Sequence, residues 1–232
     1  PNSVTSIGQF AFCNCESLKE IEIPYGIREI GTSTFEGCES FKKIEIPDSV
    51  REIGNGAFAR CISIKEIDIP NSVTKIGKFA FGGCTSLSRI NIPNSVTEIG
   101  NFAFSKCSRL KKVVIPESVR SIGESAFSGC KSLEEINIPN SVTSVGEYAF
   151  FGCESLKKVE IPNNITAIDN GTFARCTSLK EIEIPSSITK ISSLAFSGCK
   201  SLEKIIIPNS VKKIGWYAFD ECESLKEIEI PN

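Results

Sequence analysis

Residues 93–115 read PNSVTEIGNFAFSKCSRLKKVVI, and variants of this 23-residue stretch follow one another along the chain without insertion or deletion. All 11 prolines fall at intervals of 23, from Pro1 to Pro231. A fixed period overrides local propensity, because each unit must pack against its own copies. We therefore predict that 1–232 is a single domain of ten repeats: 1–23, 24–46, 47–69, 70–92, 93–115, 116–138, 139–161, 162–184, 185–207 and 208–230.

Each repeat is predicted to be a coil of short pieces, because its apolar spacing fits neither one long helix nor one long strand. Val113 and Ile115 alternate and are followed by Pro116, which favours a short strand that pairs in parallel with its equivalents. Residues 96–99 favour a second short strand or an extended run that ends in a glycine turn. Residues 102–106 are predicted to form one turn of helix or 3-10 structure. The predicted fold class is an α/β-type repeat solenoid.

Two columns of the repeat are predicted to be core. Phenylalanine occupies the same place in every repeat, from Phe12 to Phe219, and an isoleucine column runs from Ile23 to Ile230. A single repeat buries too little apolar surface to fold alone, so neighbours must share their apolar faces. We expect the phenylalanine rings to stack along the solenoid.

Cysteine is the other repeated residue, with ten of the 11 thiols in one column and Cys13 outside it. We expect small buried thiols that donate weakly to backbone carbonyls, and an exposed Cys13. Adjacent rungs about 4.8 Å apart would allow disulfides by distance, but parallel rungs point their side chains the same way, which argues against pairing.

Composition and charge exclude several classes of function. With 26 basic and 28 acidic residues the net charge is −2, so no basic field favours nucleic acid. The chain has no apolar run of the roughly 18 residues that a membrane span needs. It also has no histidine, the commonest general base and metal ligand. We therefore expect no enzymatic activity, no metal and no cofactor.

One glycine column runs through eight repeats, after an isoleucine in seven of them and after Val145 in the other, but Asp169 and Ser192 replace the glycine in the remaining two repeats. Serine rarely adopts a positive φ, so we predict that this turn does not require one in every repeat.

Function is expected on the exposed columns of the strand that precedes each proline. One of these columns nearly alternates in charge, which favours solubility and correct register. The next is acidic except at Ile206 and in the fourth to sixth repeats, where Asn91, Val114 and Asn137 replace the acids. The sequence therefore predicts a neutral to basic, partly apolar contact patch: Arg89, Asn91, Lys111, Lys112, Val114 and Asn137. Neutral drift among repeats is the alternative.

Aromatic residues are also scattered just before the Ala-Phe dipeptide of the repeat: Phe10, Phe79, Phe102, Tyr148, Trp216 and Tyr217. Phe79 and Phe102 occupy adjacent rungs, close enough to stack. The alternatives for this set are partly exposed packing on the convex side and contact with a carbohydrate or a protein.

The run LxxIxIPxSVTxIGxxAFxxC at 87–107, and again at 133–153 with Val145 for one isoleucine, resembles the BspA-like (Treponema-type) leucine-rich repeat proteins. The resemblance covers the whole chain. It implies a right-handed solenoid with a parallel sheet on the concave face. It also implies a cell-surface or extracellular location and binding to host or matrix proteins or to other cells.

Two functions remain open at this stage. The first is a protein-binding repeat module, the repeat region of a cell-surface adhesin, whose partner is a host or matrix protein or another cell-surface protein. The second is an architectural or engineered scaffold without a dedicated site, which the uniform repeats favour. The chain has no evident capping repeats, so either caps lie elsewhere or end-to-end or edge association with other chains covers the ends.

Overall fold

The structure, a computed structural model, describes residues 3–230. In this range the strands are parallel, and each pairs with a strand 23 residues away, as Glu29 pairs with Glu52 and Lys112 with Glu135. A parallel pair requires a long crossover between its strands, and the remainder of each repeat supplies that connection. The predicted solenoid of parallel strands is confirmed. Pro1 and Pro231, the first and last of the proline series, lie outside the described residues.

The strands that precede the prolines from Pro70 onward build an eight-stranded parallel sheet. In seven of these eight strands the middle residue is buried between two exposed neighbours. Val113, for example, lies in the core between exposed Lys112 and Val114. The strands are β3 (Glu66–Asp68), β5 (Arg89–Asn91), β7 (Lys112–Val114), β9 (Glu135–Asn137), β11 (Lys158–Glu160), β13 (Glu181–Glu183), β15 (Lys204–Ile206) and β17 (Glu227–Glu229). We call the outward side of this sheet, made of the first and third residue of each strand, the strand face.

The run that follows each proline forms a second set of short strands, which settles the alternative left open at 96–99 in favour of a strand. Six of them make one sheet: β1 (Glu29–Ile30), β2 (Glu52–Ile53), β4 (Lys75–Ile76), β6 (Glu98–Ile99), β8 (Ser121–Ile122) and β10 (Ser144–Val145). Three more make another: β12 (Ala167–Ile168), β14 (Lys190–Ile191) and β16 (Lys213–Ile214).

The predicted helical turn at 102–106 is wrong, and residues 3–230 contain no helix, so the α/β class is wrong as well. Phe102 and Lys106 have φ of 58° and 61°, outside the helical region. The N–H groups of Phe102, Phe104 and Lys106 donate to carbonyls of the next repeat at 2.8, 2.8 and 2.6 Å. Because these N–H groups donate to the neighbouring repeat, they cannot donate to carbonyls within their own segment as a helix requires. The segment is instead a series of tight turns, two of which carry the positive φ at the third residue that type II turns require.

The predicted ring stack is confirmed. The phenylalanine rings from Phe12 to Phe219 follow one another with centroids 5.3–5.7 Å apart and planes 2–13° from parallel. This spacing is within the range that offset-stacked aromatic pairs prefer. The stack therefore forms a continuous core that passes through every repeat.

The cysteine column also lies as predicted. From Cys38 to Cys222 each thiol donates to the carbonyl of the phenylalanine 26 residues earlier, at 3.1–3.4 Å between sulfur and oxygen. The cysteines of the described residues are free thiols; Cys13 is half-buried rather than fully exposed, and Cys15 is exposed. The column thus links each repeat to the one before it without disulfides.

The repeated glycine has no positive φ in the described repeats, as predicted, but it has another role that the sequence did not reveal. A Cβ on Gly100 would lie 2.7 Å from the carbonyl carbon of Gly77, and a Cβ on Gly146 2.5 Å from the amide nitrogen of Glu124. Glycine is therefore placed here because the backbones of successive repeats approach too closely for a side chain.

The second sheet divides where Asp169 replaces this glycine. Within the described chain, β10 and β12 are not paired, although the strands on either side of them are. An apolar cavity of about 10 Å³ lies at the same junction, between Val145, Ile168 and Phe173. Ser192 keeps its backbone bond to Ile168 at 2.8 Å, so a Cβ alone does not open the ladder.

Candidate protein-interaction surface

The strand face brings five of the six residues of the predicted patch together. Arg89 lies beside Lys112 in the register of β5 and β7, and Val114 lies beside Asn137 in the register of β7 and β9. Asn91 is the third residue of β5, on the same face. Four carboxylates border the patch on the neighbouring rungs: Glu66, Asp68, Glu135 and Glu160. We call the group Arg89, Asn91, Lys112, Val114 and Asn137 the central patch.

Lys111 is not part of this group. It precedes β7, and its carbonyl accepts the N–H of Glu134 at 3.1 Å. The pKa of the Glu134 carboxyl is lowered mainly by the hydrogen bond that Lys157 donates to it, and the charge of Lys111 lowers it further. Lys111 therefore belongs to the neighbouring column with Glu134 and Lys157, at the border of the central patch.

Ion pairs in the two columns of the strand face, and in their continuation ahead of β3, follow the predicted alternation between rungs only in part. Lys43 pairs with Glu45 at 2.8 Å and Lys158 with Glu160 at 3.2 Å, in each case within one repeat. Lys204 is followed two residues later by Ile206, and it reaches Glu227 and Glu229 of the next strand, each at 3.8 Å. A cation of the first column thus pairs either with the acid two residues later or with acids of the next rung.

The central patch differs because, in the described part of the chain, its two cations have neither kind of partner. The acid that would lie two residues after Arg89 and Lys112 is replaced by Asn91 and Val114. Among residues 3–230 no ion pair involves Arg89 or Lys112. Val114 is 65% exposed beside them. An exposed apolar side chain next to uncompensated cations is suited to an apolar contact bordered by partner carboxylates.

A second exposed surface lies where the tight turns run, and we call it the turn face. Its most prominent residues are those at the first left-handed position of each repeat, among them Phe79 and Phe102, with φ of 55° and 58°. Their rings stack with centroids 4.5 Å apart, as predicted, and Phe79 is 47% exposed. The ring of Phe79 also packs over Gly82, on which a Cβ would approach it to 3.3 Å.

A groove of about 390 Å³ opens in the turn face beside Phe79. Its floor includes the buried residues Gly56 and Ala59, and Arg60, Lys78 and Lys106 line it. Sequence reasoning noted the aromatic residues but missed this groove. The sequence did contain a signal for the groove: at intervals of 23 residues, the small residues Ser33 and Gly56 are followed by the large residues Phe79 and Phe102.

The buried thiols in the middle of the cysteine column are held in their protonated form. Burial raises the pKa of Cys84, Cys130 and Cys176 to about 12, so these thiols are protonated at neutral pH. In the described part of the chain no group of three or more His, Cys, Asp or Glu side chains is arranged to hold a metal ion. The described residues also include no helix that is long and apolar enough to cross a membrane.

Comparison with known proteins places this arrangement in a family. The family model of the BspA type leucine rich repeat region matches the chain in 6 copies, over residues 1–111, 51–180 and 98–226. A comparison with curated proteins gives no significant match.

Solved bacterial structures share the fold. A leucine-rich repeat protein from Bacteroides ovatus is 31% identical with a TM-score of 0.58, and the match covers 98% of this chain and 76% of that one. The leucine rich repeat protein of T. pallidum is 38% identical with a TM-score of 0.64, over 66% of this chain and 72% of its own. A leucine rich cell surface protein from Faecalibacterium prausnitzii is 30% identical with a TM-score of 0.53, over 97% and 83%. The chain therefore belongs to the BspA type leucine-rich repeat family, a class of protein-interaction repeat modules.

Proposed function

We propose that this chain is the repeat region of a cell-surface adhesin, which binds host or matrix proteins or surface proteins of other cells through the central patch. The observation that carries the proposal is the gap in the acidic column, which leaves Arg89 and Lys112 without an ion pair within residues 3–230, next to exposed Val114. The other two cations of the strand face, Lys158 and Lys204, pair with acids of this chain. The cations of the central patch are thus the ones available to a partner's carboxylates.

The location at the cell surface is supported by one relative. The Faecalibacterium prausnitzii protein, 30% identical over 97% of this chain, is described as a cell surface protein. An extracellular partner is consistent with the chemistry of the central patch, because a protein surface with acidic and apolar groups would complement it. Polyanionic nucleic acid would meet the acidic columns on either side of the patch.

Binding to immobilised basement-membrane extract, measured by surface plasmon resonance, tests this proposal. The variant carries Lys112→Glu and Val114→Glu, which place two carboxylates in the patch. The matched control carries Lys204→Glu and Ile206→Glu, which make the same changes in the same two columns on β15, where Ile206 is 53% exposed. We expect the patch variant to bind about tenfold more weakly and the control to bind like the unaltered chain.

Equal affinity of the two variants would remove the central patch from consideration. The architectural role then gains support, because in a scaffold whose repeats set only length and stiffness no repeat binds a partner more strongly than the others. Circular dichroism spectra of both variants establish that each remains folded before binding is compared.

A further inference from the structure

The groove of the turn face is an interruption in a row of aromatic rings. Phe79 has Phe102 on one side, with ring centroids 4.5 Å apart. On its other side the equivalent residues of the preceding repeats are Gly56 and Ser33, so this column supplies no ring there. The groove of about 390 Å³ occupies that gap, and Phe79 is part of its lining.

Elsewhere in the same column the chain itself shows what fits over such a glycine. Gly171 has the same left-handed conformation as Gly56, with φ of 58° and 63°. The ring of Tyr148 lies directly over Gly171, since a Cβ on this glycine would meet the Tyr148 Cε1 at 2.3 Å. Gly56 has no ring over it, because its upstream neighbour in the column is Ser33; a Cβ on Gly56 would meet the Ser33 Oγ at 2.9 Å and the Glu36 Oε2 at 3.6 Å. Both atoms are the ends of side chains that can rotate, so an aromatic ring over Gly56 must come from another molecule and displaces only these two groups.

Charge specifies the rest of the ligand. Arg60, Lys78 and Lys106 line the groove, all three exposed, and Glu36 is the acidic residue among the lining residues. Across residues 3–230 no ion pair engages any of these three cations. The chain as a whole carries a net charge of −2, so the groove is a local basic site on an acidic protein.

Further along the turn face the sign of the charge reverses. The position held by Lys78 is occupied by Glu124 and Glu147 two and three repeats later. An acidic ligand is thus attracted to the groove and repelled by the repeats that carry Glu124 and Glu147, which favours the groove over that part of the turn face.

We propose that this groove is a second binding site of the chain, and that it takes an acidic peptide segment with a tyrosine or phenylalanine. The aromatic side chain lies over Gly56 against the free side of Phe79 and extends the Phe79–Phe102 stack by one ring. Carboxylates on either side of it pair with Lys78, Arg60 and Lys106. This site is separate from the central patch, so the proposal does not depend on the adhesin function.

A fluorescein-labelled peptide of alternating glutamate and tyrosine is the probe, and fluorescence anisotropy measures its binding to the full chain. Gly56→Phe fills the groove with the ring that the ligand would provide. The fold accepts phenylalanine here, because Phe10, Phe79 and Phe102 occupy this column with φ of 55–60°. Leu194→Phe is the matched control, since it adds phenylalanine to the same column at φ of 60° outside the groove. Lys78→Glu reverses one charge of the lining, with Lys190→Glu on β14 as its control.

We expect Gly56→Phe and Lys78→Glu each to weaken binding about tenfold, while both controls and the central-patch variant bind like the unaltered chain. We also expect the affinity to fall with added salt and when tyrosine in the peptide is replaced by alanine. The proposal is overturned if the unaltered chain does not bind the peptide, if Gly56→Phe binds it normally, or if a lysine–tyrosine peptide binds equally well. Binding of polygalacturonate without binding of the peptide would also overturn it, in favour of an acidic saccharide.

Discussion

Replacing Gly100 by alanine tests the close approach between successive repeats. The new Cβ would lie 2.7 Å from the carbonyl carbon of Gly77 and 2.8 Å from the carbonyl oxygen of Ile76, which are backbone atoms and cannot rotate away. Relief of these contacts shifts one rung against the other and strains the bond from Gly100 N to Ile76 O, which at 3.2 Å is already longer than the equivalent bond of 2.8 Å at Ser192.

The expected loss of stability follows from three contributions. Overpacking costs about 1–3 kcal/mol, and a weakened backbone bond costs up to about 1 kcal/mol. Alanine returns roughly 0.5–1 kcal/mol, because it restricts the unfolded chain more than glycine does. The free energy of unfolding should fall by about 2 kcal/mol, which for a chain of this length lowers the melting temperature by about 4–8 °C.

Gly8 provides a matched control in the same column of the first repeat. A Cβ on Gly8 would meet no atom within 4 Å, because this residue has no preceding rung in the described chain. Both variants are compared by thermal and urea unfolding followed by circular dichroism. Gly8→Ala should change the stability by less than about 0.5 kcal/mol. If Gly100→Ala is no less stable than Gly8→Ala, the close approach does not explain the glycine column.

Two further predictions concern the interrupted sheet and the thiols. Asp169→Gly should let β12 pair with β10 and stabilise the chain by about 1 kcal/mol, with slower hydrogen exchange at the amide of residue 169; unchanged exchange there would contradict this. Burial raises the pKa of Cys84, Cys130 and Cys176 from 9.0 to about 12, so the unfolded chain loses these thiol protons first as the pH rises. The urea midpoint should therefore be independent of thiol ionisation below about pH 9 and fall progressively towards pH 12, and a midpoint that stays constant over that interval would contradict the burial of these thiols.

The repeat alone sufficed to predict the core, because periodic residues in a stack of identical units meet their own copies. Phe104 lies between Phe81 and Phe127 wherever the intervening chain runs, and Cys107 necessarily meets the repeat before it. The strand at 112–114 could be predicted for the same reason, since its alternating burial and its terminal proline are local features.

The helical turn at 102–106 could not have been corrected from the sequence. Its length suits a helix turn, but its amide groups donate to residues 22 positions later, and a single repeat contains no sign of these bonds. The same applies to the pairing of Lys43 with Glu45 and of Lys158 with Glu160 within single repeats, since the sequence allows these lysines acids on neighbouring rungs as well.

The sequence by itself determined that the chain is a parallel solenoid with a phenylalanine core and a column of free thiols, because those features depend only on the period of 23. The tertiary structure decided the turn conformations, the need for glycine at positions such as Gly100, and the groove beside Phe79. These features depend on how closely one repeat lies on the next and in which direction its N–H groups point. That distance and that direction arise only when successive repeats are stacked.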